Sequence, residues 1–127
     1  MVDIDQMDQF SVTDYPGILI GPDGRKKVWN CYRPFSEHEF SLLIQELNEF
    51  KPSAIGFSVV SGIINEAAEV TAKLRTRFNV PFIWGGSGPT LEPERCIEFA
   101  DVLCINEGEE VIVEIANRLD AGAPLTD

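Results

Sequence analysis

The sequence predicts an α/β domain built on a parallel sheet flanked by helices. From Ser36 onward, stretches with helical periodicity alternate with short apolar runs, the pattern of successive β-α units. The run AIGFSVV, residues 54 to 60, reads as a strand buried on both faces, as strands of parallel sheets are. At 127 residues, 44% hydrophobic and 24% charged, the chain suits one ordinary globular core.

Ser36 followed by Glu39 forms a capping-box pattern, and Phe40, Leu43, Ile44, Leu47 and Phe50 recur at helical spacing, predicting a helix over 37–50. Pro52 ends it. After the strand at 54–60 and a loop at Ser61 and Gly62, a second helix is expected over 63–78, with Ile63, Ala67, Val70, Leu74 and Phe78 on one face. Val80 to Trp84 reads as the next strand, and a glycine-rich loop leaves it. Pro93 at a first helical position opens a short helix to about Phe99. Asp101 to Ile105 is a further strand. The final helix covers Glu109 to Ala121, and Gly122 stops it.

Before Ser36 the pattern changes. Gly17 to Ile20 and Lys26 to Asn30 are strand-like runs around Pro22-Asp23-Gly24, which suits a hairpin closed by a type I turn. Val2 to Ile4 is one more short strand candidate. The organisation read here is an extension with a β-hairpin over 1–35, an α/β domain over 36–122, and the start of a linker over 123–127.

Ten Lys and Arg against 21 Asp and Glu give a net charge of −11, which repels phosphate backbones and anionic lipid. Nucleic acid and membrane surfaces are therefore poor partners. No apolar stretch approaches the roughly 20 residues of a membrane span. The amino terminus carries Asp3, Asp5 and Asp8 instead of a basic region followed by an apolar one, so the expectation is a cytoplasmic chain. Cys31, Cys96 and Cys104 lack CxxC spacing, and neither a zinc knuckle nor a disulfide framework is indicated. Cys96 and Cys104 read as small buried hydrophobes. His38, the one histidine, stands between Glu37 and Glu39 with no second His or Cys nearby and reads as a solvated helix residue.

In open parallel sheets ligands sit outside the carboxyl ends of the strands. Three loops meet that description: Ser58 to Asn65, Gly85 to Leu91, and Asn106 to Glu110. Glycine permits close approach of backbone to a ligand, although two glycines leaving a strand equally make a plain tight turn. A dinucleotide fingerprint fails, because the sixth position from Gly86 is Leu91 and Pro89 interrupts the first turn. A P-loop is absent, since no Lys follows Lys73. A phosphoacceptor Asp is misplaced, because Asp101 begins its strand. Flavin binding is disfavoured, as no Ser/Thr-rich phosphate loop follows a first strand. Glu107, Glu109 and Glu110 at a helix start are accounted for by the helix dipole.

Residues 51 to 122 carry an ordered series: a strand ending GFSVVS, a strand ending WGGSGPT, PE opening a short helix, and a strand running into INEGEE before an amphipathic helix. The series resembles the cobalamin-binding domain of B12-dependent radical SAM enzymes, including the anaerobic magnesium-protoporphyrin monomethyl ester cyclase type. The resemblance implies a flavodoxin-like three-layer parallel sheet, here with its first strand unrecognisable and a β-hairpin added. It further implies that Ser58 and Ser61 line the pocket for the corrinoid's dimethylbenzimidazole tail. Gly85 and Gly86 would let the tail pass close to backbone, Ser87, Gly88 and Thr90 would border the nucleotide loop or corrin edge, and Glu107 and Gly108 would form a turn at the same rim.

The Asp-x-His-x-x-Gly run through which some relatives ligate cobalt is absent, so the resemblance implies a base-off cobalamin without a protein histidine on the metal. The CxxxCxxC motif for a [4Fe–4S] cluster and S-adenosylmethionine is also absent and would belong to a downstream catalytic domain. That parent enzyme would be a tetrapyrrole oxidative cyclase or a methyltransferase, and this segment would catalyse nothing by itself. The competing expectation is a degenerate flavodoxin-like docking module without cofactor, forming an oligomer through an exposed sheet edge.

Overall fold

The computed structural model describes residues 11–12, 18–20, 26–28 and 35–125. The chain divides into two compact units, Met1–Phe35 and Ser36–Asp127. In the first, β1 (Ser11–Val12), β2 (Ile18–Ile20) and β3 (Lys26–Val28) form an antiparallel sheet in the order β1-β2-β3. Ile18 pairs with Val28 and Ile20 with Lys26, so the two hairpin strands expected from the sequence pair with each other. The short strand β1, with Val12 opposite Leu19, carries too few residues for a periodic signal. The turn at Pro22 to Gly24 and the strand suggested at Val2 to Ile4 lie outside the described residues.

The second unit begins with α1 (Glu37–Phe50), whose capping box is complete: the Glu39 amide donates to the Ser36 hydroxyl at 3.1 Å, and the Ser36 amide donates to the Glu39 carboxylate at 2.8 Å. The helix stops at Lys51, which adopts a left-handed conformation just before Pro52. Then follow β4 (Ile55–Ser58), a 3₁₀ turn at Ser61–Ile63, α2 (Ile64–Arg75), β5 (Phe82–Gly85), α3 (Ser87–Leu91), α4 (Pro93–Cys96), β6 (Val102–Leu103) and α5 (Glu109–Asp120). The strands are parallel in the order β4-β5-β6, with Ile55 opposite Phe82, Ser58 opposite Gly85, and Trp84 opposite Leu103.

Strand alternation sends two sets of side chains to opposite faces. On one face Ile55, Phe82 and Trp84 pack with α1, α2 and α4 through Leu43, Ile44, Ile64, Leu74 and Cys96. Trp84 and Phe82 are fully buried. The Trp84 indole N–H donates to the Thr71 hydroxyl at 3.1 Å, which satisfies the polar edge that burial would otherwise strand. On the other face Ile83 and Cys104 pack with α5 through Val111, Ile115 and Leu119. Helices on both faces of a parallel sheet make the flavodoxin-like three-layer arrangement expected from the sequence, with three strands. Among the described residues β4 has no ladder partner on its outer side.

Several boundaries differ from expectation: the helix expected over 63–78 is Ile64–Arg75, the strand expected over 80–84 is Phe82–Gly85, the short helix expected to Phe99 ends at Cys96, and the strand expected over 101–105 is Val102–Leu103. For the strands the reason is that tertiary pairing, not apolar content, sets their ends. The apolar run 54–60 contributes only Ile55–Ser58 to the ladder, and Val59 turns inward to the helical core. The stretch Gly85 to Leu91, read as a loop, is helical over Ser87–Leu91. Pro89 is tolerated there because it stands in the first turn, where backbone N–H groups have no intrahelical acceptor.

Candidate functional site

The pairing of Ser58 with Gly85 at the ends of β4 and β5 sets the first two loops side by side. Hydrogen bonds then fasten them: the Val59 amide donates to the Gly85 carbonyl at 2.8 Å and the Gly88 amide to the Val59 carbonyl at 2.8 Å. The Ser61 amide donates to the Ser87 hydroxyl at 3.2 Å. Thr90 joins the third loop, since its hydroxyl donates to the Gly86 carbonyl at 2.9 Å and accepts from the Asn106 amide at 3.0 Å. Asn106 sits at φ 63°, a left-handed conformation that Asn tolerates better than most residues. The three segments thus converge at one end of the sheet.

Between them, on the sheet face that α5 only partly covers, lies a cavity of about 260 Å³ lined by Gly56, Phe57, Ser58, Ile83, Gly85, Gly86, Cys104, Gly108 and Ile112. It is open to solvent and predominantly apolar. Four residues singled out from the sequence, Ser58, Gly85, Gly86 and Gly108, are on its wall.

The glycines at this rim do two different jobs. A Cβ built on Gly56, Gly85 or Gly108 would meet its nearest neighbour at 4.0, 3.5 or 3.9 Å, so these positions border space that a side chain would fill. A Cβ on Gly86 would come within 2.7 Å of the Val59 carbonyl oxygen, and Gly86 holds φ 101°. On Gly88 the same atom would lie 3.0 Å away. Gly86 and Gly88 are therefore needed for backbone to pass backbone, and Gly88 is buried against Val59 and Ile64.

The other sequence-selected residues are not on the wall. Ser61, Ser87 and Thr90 tie the loops together as described, and Glu107 is exposed on the third loop. Conversely, Gly56, Phe57, Ile83, Cys104 and Ile112 line the cavity and are not among the residues the sequence singles out. Strand parity could have found two of them, because Gly56 and Ile83 stand two residues before Ser58 and Gly85. Ile112 stands four after Gly108, on the same helical face. Cys104 is buried, and burial pushes its thiol above the ordinary cysteine range, so it presents a neutral, weakly polar surface at neutral pH. Cys96 is raised chiefly by burial too, with Glu92 adding and Arg95 opposing, but it lies under the other face beside Trp84.

A larger groove of about 460 Å³ lies at the opposite, amino end of the strands. Its charged side chains are engaged: Arg75 pairs with Asp101 at 3.1 Å and stacks over Phe82, while Asp101 accepts the Phe82 amide at 2.7 Å. The smaller cavity stands where parallel sheets bind ligands. Among the described residues no cluster of three or more His, Cys, Asp or Glu is placed to hold a metal ion, and no helix is long and apolar enough to cross a membrane.

The family model of the B12 binding domain matches residues 30–116. The chain belongs to that family. No curated protein and no solved structure matches it significantly. As a B12 binding domain, it carries its cavity on the carboxyl-end rim, formed by the loops after β4, β5 and β6. His38 is exposed on the first turn of α1, a helix that packs on the face away from that cavity.

Proposed function

We propose that residues 36–122 are the cobalamin-binding module of a larger enzyme, and that the cavity receives the dimethylbenzimidazole tail of the corrinoid. The supporting observation is a slot whose walls are built from missing side chains: Gly56, Gly85 and Gly108 leave room without distorting backbone. At about 260 Å³ it falls below the roughly 300–1,000 Å³ of sites that enclose whole ligands. It suits one flat aromatic group, with the remainder of the molecule outside.

In this reading Ser58, Gly85, Gly86 and Gly108 form the walls and Ser61, Ser87 and Thr90 hold the loops at their spacing. Gly88 anchors the second loop beneath Val59, and Glu107 borders the corrin edge. Bound corrinoid supplies a cobalt centre for methyl or electron transfer. The protein's part is to hold the tail away from cobalt, giving a base-off form, and His38 takes no part in ligation. We assign the [4Fe–4S] cluster and S-adenosylmethionine to a downstream radical SAM domain reached through a linker at 123–127, residues 1–35 being an extension. The parent reaction is tetrapyrrole oxidative cyclisation or methylation in the cytoplasm.

The test is direct. The 127-residue chain is incubated with hydroxocobalamin and desalted; retained corrinoid absorbance with the base-off spectrum is expected. Complete loss of corrinoid overturns the reading. For the parent enzyme, absence of a [4Fe–4S] signal after anaerobic reconstitution removes the radical SAM assignment and leaves the binding module standing.

One observation favours a second reading, a docking module without cofactor: the outer edge of β4 lacks a ladder partner among the described residues, and such edges recruit strands. Sedimentation of a monomer with corrinoid bound rejects it.

A further inference from the structure

The outer edge of β4 lacks the protection that sheet edges usually carry. Residues 52–65 include no charged side chain, β4 pairs with β5 without a bulge, and no proline lies within Ile55–Ser58. Lysine, proline and bulges are what edge strands use to refuse a second strand. Parity defines the groups on offer. The Ile55 and Val59 amides donate to the Pro81 and Gly85 carbonyls on the β5 side, so alternation turns the Gly56 and Ser58 amides and carbonyls outward. Among the described residues none of those four groups has a hydrogen-bond partner. Helix α1, which joins Ile55 and Phe57 in one apolar cluster, has no buried residue. Phe50 at its end is 81% exposed.

We infer that β4 pairs antiparallel with β4 of a second copy of this chain, about a two-fold axis at Phe57. This rests on the open edge behind the docking reading and names its occupant, with or without corrinoid. The outward groups are self-complementary in that register. Gly56 faces the partner's Ser58 and Ser58 faces the partner's Gly56, each pair exchanging two N–H···O bonds, so one second copy satisfies all four groups. The two-fold closes the assembly as a pair, where head-to-tail pairing would leave an edge open. Phe57 meets its own copy in the non-hydrogen-bonded pair, where side chains stand closest. On the other face glycine stands opposite serine, too small to obstruct the approach. That face holds the slot, whose wall includes Gly56 and Ser58. The partner's Ser58 therefore stands beside Gly56 and adds a hydroxyl at the slot's open side. The net charge of −11 works against self-association at low salt, and an edge without charges of its own adds nothing to that repulsion.

The test follows amide exchange by NMR in the 127-residue chain over a concentration series, beside sedimentation velocity. A reversible dimer is expected, with the Gly56 and Ser58 amides slowing about tenfold once about nine-tenths of the chain is paired, and the Ile55 and Val59 amides protected throughout. Ser58→Pro is tolerated on an edge whose N–H faces outward. It removes one bond from each pair and is expected to weaken the dimer about tenfold or more; unchanged dimerisation of the folded variant overturns the register, and if the variant fails to fold the exchange data on the parent chain decide. A monomer at every concentration overturns the assignment, as does a dimer in which the two amides keep their monomer rates. Protection independent of concentration overturns it too, since the edge is then covered from within the chain. So does a dimer that weakens as salt is added, because an uncharged seam tightens as screening relieves the net repulsion. Corrinoid absorbance on the same samples separates the readings. A corrinoid-bound monomer rejects the dimer and the docking module alike, a corrinoid-free monomer overturns the dimer and leaves docking to another partner standing, and a corrinoid-free dimer supports the dimer and overturns the cobalamin reading.

Discussion

The position where a Gly85 side chain would begin lies 3.5 Å from the Cβ of Cys104, an ordinary van der Waals contact, whereas one residue later the same construction on Gly86 lands 2.7 Å from the Val59 carbonyl oxygen. Adjacent glycines are thus required for different reasons, and substitutions separate them. Gly85→Ala is expected to fold with a melting temperature close to that of the parent chain. It should weaken cobalamin binding about tenfold or more, the range for one methyl group placed in a fitted apolar slot. Dialysis beside a thermal melt checks both halves.

Gly86→Ala should behave in the opposite way. The residue holds φ 101°, which an L side chain adopts only with strain of about 1–3 kcal/mol, and the close Val59 carbonyl adds to it. A loss of at least about 2 kcal/mol in urea unfolding is expected, with binding lost in proportion to the unfolded fraction. A variant as stable as the parent would mean that the loop repacks.

Thr90 holds two loops at once. Thr90→Val keeps the shape of the side chain but leaves the Asn106 amide without its acceptor and removes the bond to the Gly86 carbonyl. The site is partly exposed, so water recovers some of the loss, and a destabilisation of about 1 kcal/mol is expected. Faster amide hydrogen exchange at Asn106 with unchanged exchange in α2 would localise the effect to the rim.

Under the other face, Thr71→Val tests the bond that satisfies Trp84. Thr71 is buried and its hydroxyl is the acceptor for the indole N–H. Leaving that donor unpaired in the core should cost about 1–3 kcal/mol, read as a lowered urea midpoint with an unchanged slope. Corrinoid affinity of the folded fraction should not move.

Cys96 and Cys104 hold their protons more tightly in the folded chain, because burial disfavours the thiolates. A group with a raised folded pKa contributes stability that is complete below its unfolded value and is lost as pH rises through the folded one. Thermal stability should therefore decline from about pH 8.5 upward. At pH 8 both thiols should alkylate far more slowly in the folded chain than in urea. Hydroxocobalamin should slow Cys104 further and leave Cys96 unchanged, which peptide mapping resolves.

The sequence by itself determined the α/β class, the extents of α1 and α5 to within a residue, and the three loops that gather at one rim. Those signals are local: the Ser36–Glu39 box, the recurrence of Leu43 and Leu47, and the apolar run before Gly85 act within a few residues of chain. Tertiary structure alone decided which glycines face space and which face backbone, because that depends on Val59 lying against Gly86 and Cys104 against Gly85, pairs far apart in the chain. It likewise made Ser87 and Thr90 cross-loop ties and brought Cys104 and Ile112 to the slot. Side-chain periodicity reports the face of an element; what stands opposite that face is set by the packing of the elements around the sheet.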